Sequence, residues 1–204
     1  MIENQITESL KNRRSIRDFA DDPVSEEQIS TIIEAARWAP SWLNLQPWKF
    51  IVIDDSKVRD KICAAIPMTA KAGVNDAPVS IAVCVEDYRN SAHLAEDGAA
   101  ATLYMSLAAH SLGLGTYWVG LYDRKNRGSS AEAKIRRILG VPENYRLLSL
   151  LPIGVPAKSA TSTRKTLEEI RCHNFFTIGK GSGITAEQAL KQKMQNKNVV
   201  SFTP

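Results

Sequence analysis

Several things are scarce in these 204 residues, and each scarcity removes a class of protein. There are three cysteines, Cys63, Cys84 and Cys172, far apart and with no C-x-x-C spacing. An odd, dispersed set fits reduced thiols and argues against a disulfide framework. The three histidines, His93, His110 and His173, form no H-x-x-H pattern, which argues against a structural zinc site. No stretch approaches the roughly 18 uninterrupted apolar residues of a membrane helix. The opening MIENQITESLKNRR lacks the basic-then-apolar order of a secretory signal, so the expected compartment is the cytoplasm. There is no internal repeat and no low-complexity block. No G-x-S-x-G elbow marks a self-sufficient nucleophile.

What is present is ordinary in proportion: 44% hydrophobic and 24% charged residues, with a net charge of +4. That is the profile of a soluble domain with one sizeable core. Basic residues cluster at Arg13, Arg14 and Arg17 and again at Arg124, Lys125 and Arg127. Neither cluster is interleaved with aromatics or set in a helix-turn-helix spacing, so no nucleic-acid partner is expected.

Periodicity and capping give the elements. A first helix is expected over Thr7 to Asn12. A second opens on the capping box Ser25/Gln28, carries Ile29, Ile32, Ile33 and Ala36 on one face, and is stopped by Pro40. WKFIVID reads as a strand. A helix then runs from Asp55 or Ser56 to Ile66, followed by a loop to Pro78. VSIAVCV, GTYWVGL and RLLSLLPIGVP read as further strands. A long alanine-rich helix spans Ser91 to Leu112 with Gly113 at its end, its small residues suited to packing against another helix. A basic helix covers Ser130 to Leu139. The tail offers a helix from Thr185 to Gln195 and an apolar segment from Val199 to Phe202. The expected fold class is α+β in a single domain over 1–204, with 170–204 as an extension that covers a partner subunit.

Four segments could carry chemistry. Arg13-Arg14-Ser15-Ile16-Arg17 suits a phosphate, since arginine binds its oxygens in bidentate fashion, though a solvated turn is the competing explanation. Ser41, Asn44 and Gln46, between Pro40 and Pro47, suit the edge of a planar heterocycle. Ordinary turn chemistry accounts for the serine and asparagine but not for the glutamine. LGLGTYWVG, 112 to 120, brings glycines that permit close approach. It follows a helix and opens a strand, the reverse of a dinucleotide fingerprint. IGVP at 153–156 precedes the basic pair Arg164-Lys165. With no activated nucleophile in sight, an enzyme built from these parts would rely on a cofactor.

Taken in order, R-R-S-x-R-x-F at 13–19, A-P-S-x-x-N-x-Q-P-W at 39–48, GLGTYWVG and PIGVP resemble the nitroreductase-like family of FMN-dependent oxidoreductases. The resemblance implies a nitroreductase-like fold: a central mixed β-sheet flanked by helices, with a C-terminal extension wrapping a partner subunit. It further implies a homodimer with FMN at the interface and NADH or NADPH as reductant. The acceptors would be nitroaromatics, quinones or similar small molecules, served by ping-pong hydride transfer at flavin N5. Alternatives on the same fold are a flavin-binding or sensing module without rapid turnover, and a dehalogenating or flavin-fragmenting branch. Carried over residue by residue, Arg13, Arg14, Ser15 and Arg17 line the phosphate and pyrimidine side, and Arg164 reaches the phosphate. Pro40, Ser41, Trp42 and Asn44 enter from the other subunit, with Gln46 holding their loop in shape. The backbone of Trp118, Val119 and Gly120 faces the ring near N5. Two roles stand open for Trp42, walling the cleft or packing in the interface. Lys71 and Asn75 are further candidates at the flavin edge.

Overall fold

The computed structural model describes residues 3–88, 92–177 and 191. The chain divides into two compact units, 1–161 and 162–204.

In the first unit, helix α1 (Gln5–Asn12) and helix α2 (Glu26–Arg37) both open on capping boxes, Asn4 with Thr7 and Ser25 with Gln28. Strand β1 (Trp48–Ile53) follows, then helix α3 (Ser56–Ala65), whose first turn is capped by the Asp55 carboxylate. The stretch expected as a loop before Pro78 holds a helix instead, α4 (Met68–Asn75), entered through Pro67 without a side-chain cap. Strand β2 (Val79–Glu86) leads to the long helix α5 (Leu94–Ser111). Gly113, at φ 77°, takes the left-handed position beyond its end. The expected strand GTYWVGL is broken into β3 (Gly115–Thr116) and β4 (Val119–Gly120). Helix α6 (Ala131–Ile138) and strand β5 (Tyr145–Gly154) complete the unit.

Among the described residues the strands form one sheet in the order β1-β2-β5-β3, with β4 also on β5. Every strand pair is antiparallel, and the parallel pairing of a mixed sheet is confined to the bridge Ser15↔Thr116. The two central strands are buried on both faces, which explains their nearly unbroken apolar runs. Along β2, Val79, Ile81, Val83 and Val85 pack with α2 and α5, while Ala82 and Cys84 pack with α3, α4 and α6. This is the period-2 alternation of a strand. On β5 the alternation slips. Val83 pairs with Ser149 but Cys84 pairs with Leu147, so one residue is extra. Leu147 and Leu150 therefore face one side, and Leu148, Leu151 and Ile153 the other.

The small residues of α5 act in two directions. Ala101 and Ala109 are fully buried in the cluster shared with α2. Gly98 faces the sheet: a Cβ there would lie 2.5 Å from Leu148 Cδ2 and 2.8 Å from Val85 Cγ2.

In the second unit, helix α7 (Leu167–Ile170) opens on the capping box Thr166/Glu169. Leu167, Ile170, Phe175 and Phe176 are exposed apolar side chains there. The expected tail elements, 185–195 and 199–202, lie outside the described residues apart from Lys191. Among the described residues no helix is long and apolar enough to cross a membrane, and no His/Cys/Asp/Glu group is arranged to hold a metal ion.

Candidate functional site

The arginine segment leaves α1 at Arg13 and becomes extended. It runs beside β3: Ser15 bridges Thr116, and the Ile16 amide donates to the Thr116 carbonyl at 2.8 Å. An extended chain sends alternate side chains to opposite sides. Ile16 packs onto Gly115, where any Cβ would come within 2.7 Å of it. Arg17 goes the other way and lays its guanidinium over the Tyr117 ring, 3.9 Å from the centroid. Gly73 of α4 permits this, since a Cβ there would sit 2.9 Å from Tyr117 Cδ1 and 3.3 Å from Arg17 Cα.

Arg14 behaves differently from its neighbours. Its Nη1 donates to the carbonyls of Lys11 and Arg13, so its guanidinium closes the end of α1. Arg13 and Arg14 line a cavity of about 440 Å³ together with Ile16, His110, Gly115 and Lys158.

Tyr117 and Trp118 separate the two short strands although both keep one register on β5, which sets Tyr117 opposite Pro152; the Tyr117 amide donates to the Pro152 carbonyl at 3.3 Å, and proline has no N–H to return. Gly120 pairs with Ser149, and the amides of both Leu121 and Tyr122 donate to the Leu148 carbonyl at 3.0 and 3.2 Å. Val119 is buried, while Trp118 is 38% exposed. Gly120 stands open: a Cβ there would meet only Trp118 Nε1, at 4.0 Å. A shelf with no side chain, beside an exposed indole, fits the face of a flat polar ring.

Beyond this shelf the chain is clamped by a buried ion pair. Arg146 and Glu132, each 1% exposed, meet at 2.6 Å. Glu132 also accepts from the Asp123 amide at 2.9 Å, and Arg146 donates to the Asp123 carbonyl at 2.8 Å. The Glu132 carboxylate raises the Arg146 pKa against the opposing effect of burial.

The stretch from Pro40 to Pro47 has no regular structure beyond one turn of 3₁₀ helix. Leu43, Asn44 and Gln46 all have positive φ, at 49°, 56° and 50°. That region is mildly unfavourable for asparagine and costly for leucine. Ser41 Oγ accepts from the Gln46 amide at 3.0 Å, and Gln46 Nε2 donates to the Asn44 carbonyl at 3.2 Å. Gln46 thus spends its side chain on closing the turn. The Trp42 amide donates to the Asp97 carboxylate at 2.9 Å, and the Trp42 ring stacks on His93 with centroids 4.9 Å apart. This stretch lines its own cavity of about 620 Å³, with Trp48, Lys49, Glu86 and Tyr145.

Of the residues singled out in the sequence, Arg17 is brought to the segment 117–120, and Arg13 and Arg14 to the start of β3. Trp42 and Gln46 line a different cavity of the same chain, and Pro40, Ser41 and Asn44 belong to the same stretch without lining either cavity. Arg164, in the second unit, is exposed and donates to Ser162 Oγ at 2.6 Å and the Thr163 carbonyl at 2.8 Å. Sequence reasoning missed Tyr117, Asp97 and His93. Their partners lie 100, 55 and 51 positions away, and no spacing rule reaches that far.

Residues 10–75 and 65–155 match the Nitroreductase family. A protein of Methanothermobacter thermautotrophicus, provisionally named NADH dehydrogenase/NAD(P)H nitroreductase, is 37% identical over 170 residues, 82% of this chain and 85% of that protein. The FMN reductase [NAD(P)H] of Bacillus subtilis is 31% identical over 211 residues, 94% of this chain and 82% of its own. A provisionally named nitroreductase from Desulfovibrio desulfuricans, crystallised in complex with FMN, superposes with a TM-score of 0.70 at 30% identity, covering 86% of this chain and 100% of that one. The helix-flanked antiparallel sheet is the nitroreductase fold, and the chain belongs to the nitroreductase family of oxidoreductases.

Proposed function

We propose that this chain binds FMN and uses NAD(P)H to reduce small acceptors such as nitroaromatics or quinones. One observation carries the reading: the extended arginine segment pairs with β3 and delivers Arg17 onto Tyr117, in the same short stretch of chain as the open Gly120. FMN supplies hydride acceptance and donation at N5, so the chain's own residues bind, orient and exclude water.

Each of those residues has a physical task. Arg13 and Ser15 hold the phosphate end, with Arg164 as a further phosphate ligand, since a phosphate dianion is best met by guanidinium forks and hydroxyls. Arg14 contributes mainly through its backbone, its guanidinium being engaged at the end of α1. Arg17 sets a positive charge toward the pyrimidine side, held in place by Tyr117. Trp118, Val119 and Gly120 present backbone to the ring, because any side chain at 120 would occupy the space that the ring needs.

The second part of the proposal is a homodimer. Trp42, Leu43, Leu45 and Gln46 of the loop Pro40–Gln46 line a cavity separate from that of Arg13 and Arg14 in the same chain. Exposed Leu43 and Leu45 and the half-exposed Trp42 suit a surface that a second copy covers. On this reading Pro40, Ser41, Trp42 and Asn44 complete the flavin site of the other subunit, and Gln46 keeps their turn closed. The exposed apolar residues Ile170, Phe175 and Phe176 support the extension 170–204 as a further dimer-covering element.

Titration with FMN tests the site. Gly120→Leu should fold as the parent does, because nothing crowds its Cβ, yet lose FMN. Arg13→Ala, Arg17→Ala and Arg164→Ala should each weaken FMN binding about tenfold or more. A Gly120→Leu protein that binds FMN with parental affinity would remove the shelf from the cofactor site. Stopped-flow mixing of the FMN-loaded protein with NADH and NADPH, followed by a nitroaromatic or quinone, then reads the catalytic cycle directly.

A further inference from the structure

The turn Ser41–Gln46 poses a physical problem that its own hydrogen bonds do not solve. Three of its residues, Leu43, Asn44 and Gln46, sit in the left-handed region, which is strained for residues other than glycine. Such a conformation persists only where the surroundings over-determine it. Leu43 and Leu45 are exposed and contribute little burial. The internal bonds, Gln46 amide to Ser41 Oγ and Gln46 Nε2 to the Asn44 carbonyl, close the turn but tie it to nothing else. The anchor has to come from outside.

The first turn of α5 supplies it. Asp97 is 7% exposed and accepts the Trp42 amide at 2.9 Å, bridging 55 positions of sequence. One turn earlier, His93 stacks against the Trp42 indole at an interplanar angle of 18°. Backbone and side chain of Trp42 are therefore both fixed, immediately before the first left-handed residue. An acidic residue early in a helix is favoured by the helix dipole alone. That explains a carboxylate at this position but not its burial or its aim at a distant amide. Gly98, the next residue, draws α5 tightly onto Leu148 and Val85, so the carboxylate stands on an element that cannot shift without disturbing the sheet.

We infer that Asp97 is a positioning residue: it locks the Ser41–Gln46 turn in its strained shape and thereby sets the flavin and acceptor contacts of the neighbouring subunit. The second half of this statement rests on the proposed flavin dimer, and the first half does not. The hydrogen-bonding oxygen matters more than the shape of the side chain. An asparagine can still accept from the Trp42 amide, whereas alanine and leucine cannot.

The experiment compares wild type with Asp97→Asn, Asp97→Ala and Asp97→Leu as FMN-loaded full chains. Hydrogen exchange is read by segment, and FMN affinity and acceptor KM and kcat are measured alongside. In Asp97→Ala and Asp97→Leu, exchange over 42–46 should accelerate about tenfold or more while β2 and β5 keep their protection. FMN dissociation constant and acceptor KM should rise about tenfold, with kcat changing less. Asp97→Asn should recover most of the parental exchange and affinity. Parental exchange over 42–46 in Asp97→Ala, or an Asp97→Asn as impaired as the alanine variant, overturns the inference. Accelerated exchange with unchanged FMN affinity and KM upholds the lock and overturns the flavin-dimer reading instead.

Discussion

Two irregular stretches flank the sheet of this protein, and they are held in opposite ways. The connection from Leu121 to Glu132 is tied to the core by a fully buried Arg146–Glu132 pair that also captures both the amide and the carbonyl of Asp123. The turn from Ser41 to Gln46 has one hydrogen bond to a distant carboxylate, one aromatic stack and a left-handed backbone. The first spends buried ionic groups on fixing Asp123, while 124–129 stand exposed. The second keeps its polar and apolar groups outward and tolerates strain to do so. One stretch is fixed by charge buried in the core, the other by a single carboxylate and a ring stack.

The contrast can be broken most severely at Glu132. Removing it leaves Arg146 charged and unpaired in the interior, which typically costs about 3–5 kcal/mol. Denaturant unfolding of Glu132→Ala should show a loss of that size, with the 121–132 connection exchanging freely. An Asp97→Ala protein should lose far less global stability, because its damage is confined to an exposed turn.

The next effect concerns the sheet beneath the first stretch. Burial pushes the Cys84 thiol up to about 11. A thiol that binds its proton more tightly when folded contributes stability that is complete below the unfolded value near 9.0 and disappears as pH rises toward about 11. Two units of pH correspond to about 2–3 kcal/mol. Wild type should therefore lose about that much more stability than Cys84→Ala between pH 9 and 11, measured by denaturant titration at each pH. A Cys84→Ala curve parallel to wild type would remove the thiol as the cause.

The smallest effect belongs to the turn. Leu43 is 74% exposed at φ 49°, so Leu43→Gly gives up little packing and relieves strain. Thermal unfolding should show stability unchanged or raised by about 1 kcal/mol, where glycine in an ordinary loop would lower it. A clear loss would mean that the leucine side chain is packed in solution, as a dimer interface would make it.

Legibility from the sequence followed the range of the interactions. Ser25 and Gln28 announced α2 because both halves of a capping box lie within four residues. Met68–Asn75 reads as loop in the sequence because its helix enters through Pro67 with no capping side chain, and its buried Gly73 answers to Tyr117 and Arg17 rather than to a local pattern. The split of GTYWVGL falls where Tyr117 stands opposite Pro152, a proline some thirty-five positions later in β5 that has no N–H for the ladder. The motif R-R-S-x-R identified the segment but not the divided duties within it, which appear only once Arg14 turns back on α1 and Arg17 crosses to Tyr117. Gln46 looked misplaced before Pro47 because its reason, the amide bond back to Asn44 across a left-handed turn, is conformational.

The bulge in β5 also dictates how this protein could be spliced with a relative. Upstream and downstream of Leu148 the strand's in–out alternation runs in opposite phase, so its two halves behave as modules joined at a fixed offset. A chimera that imports a straight strand would send every apolar side chain on one side of the junction into the wrong layer. It would also leave the Leu121 and Tyr122 amides without their shared acceptor. Recombination should cut outside 115–154 and move β3, β4, α6 and β5 as one inheritable block.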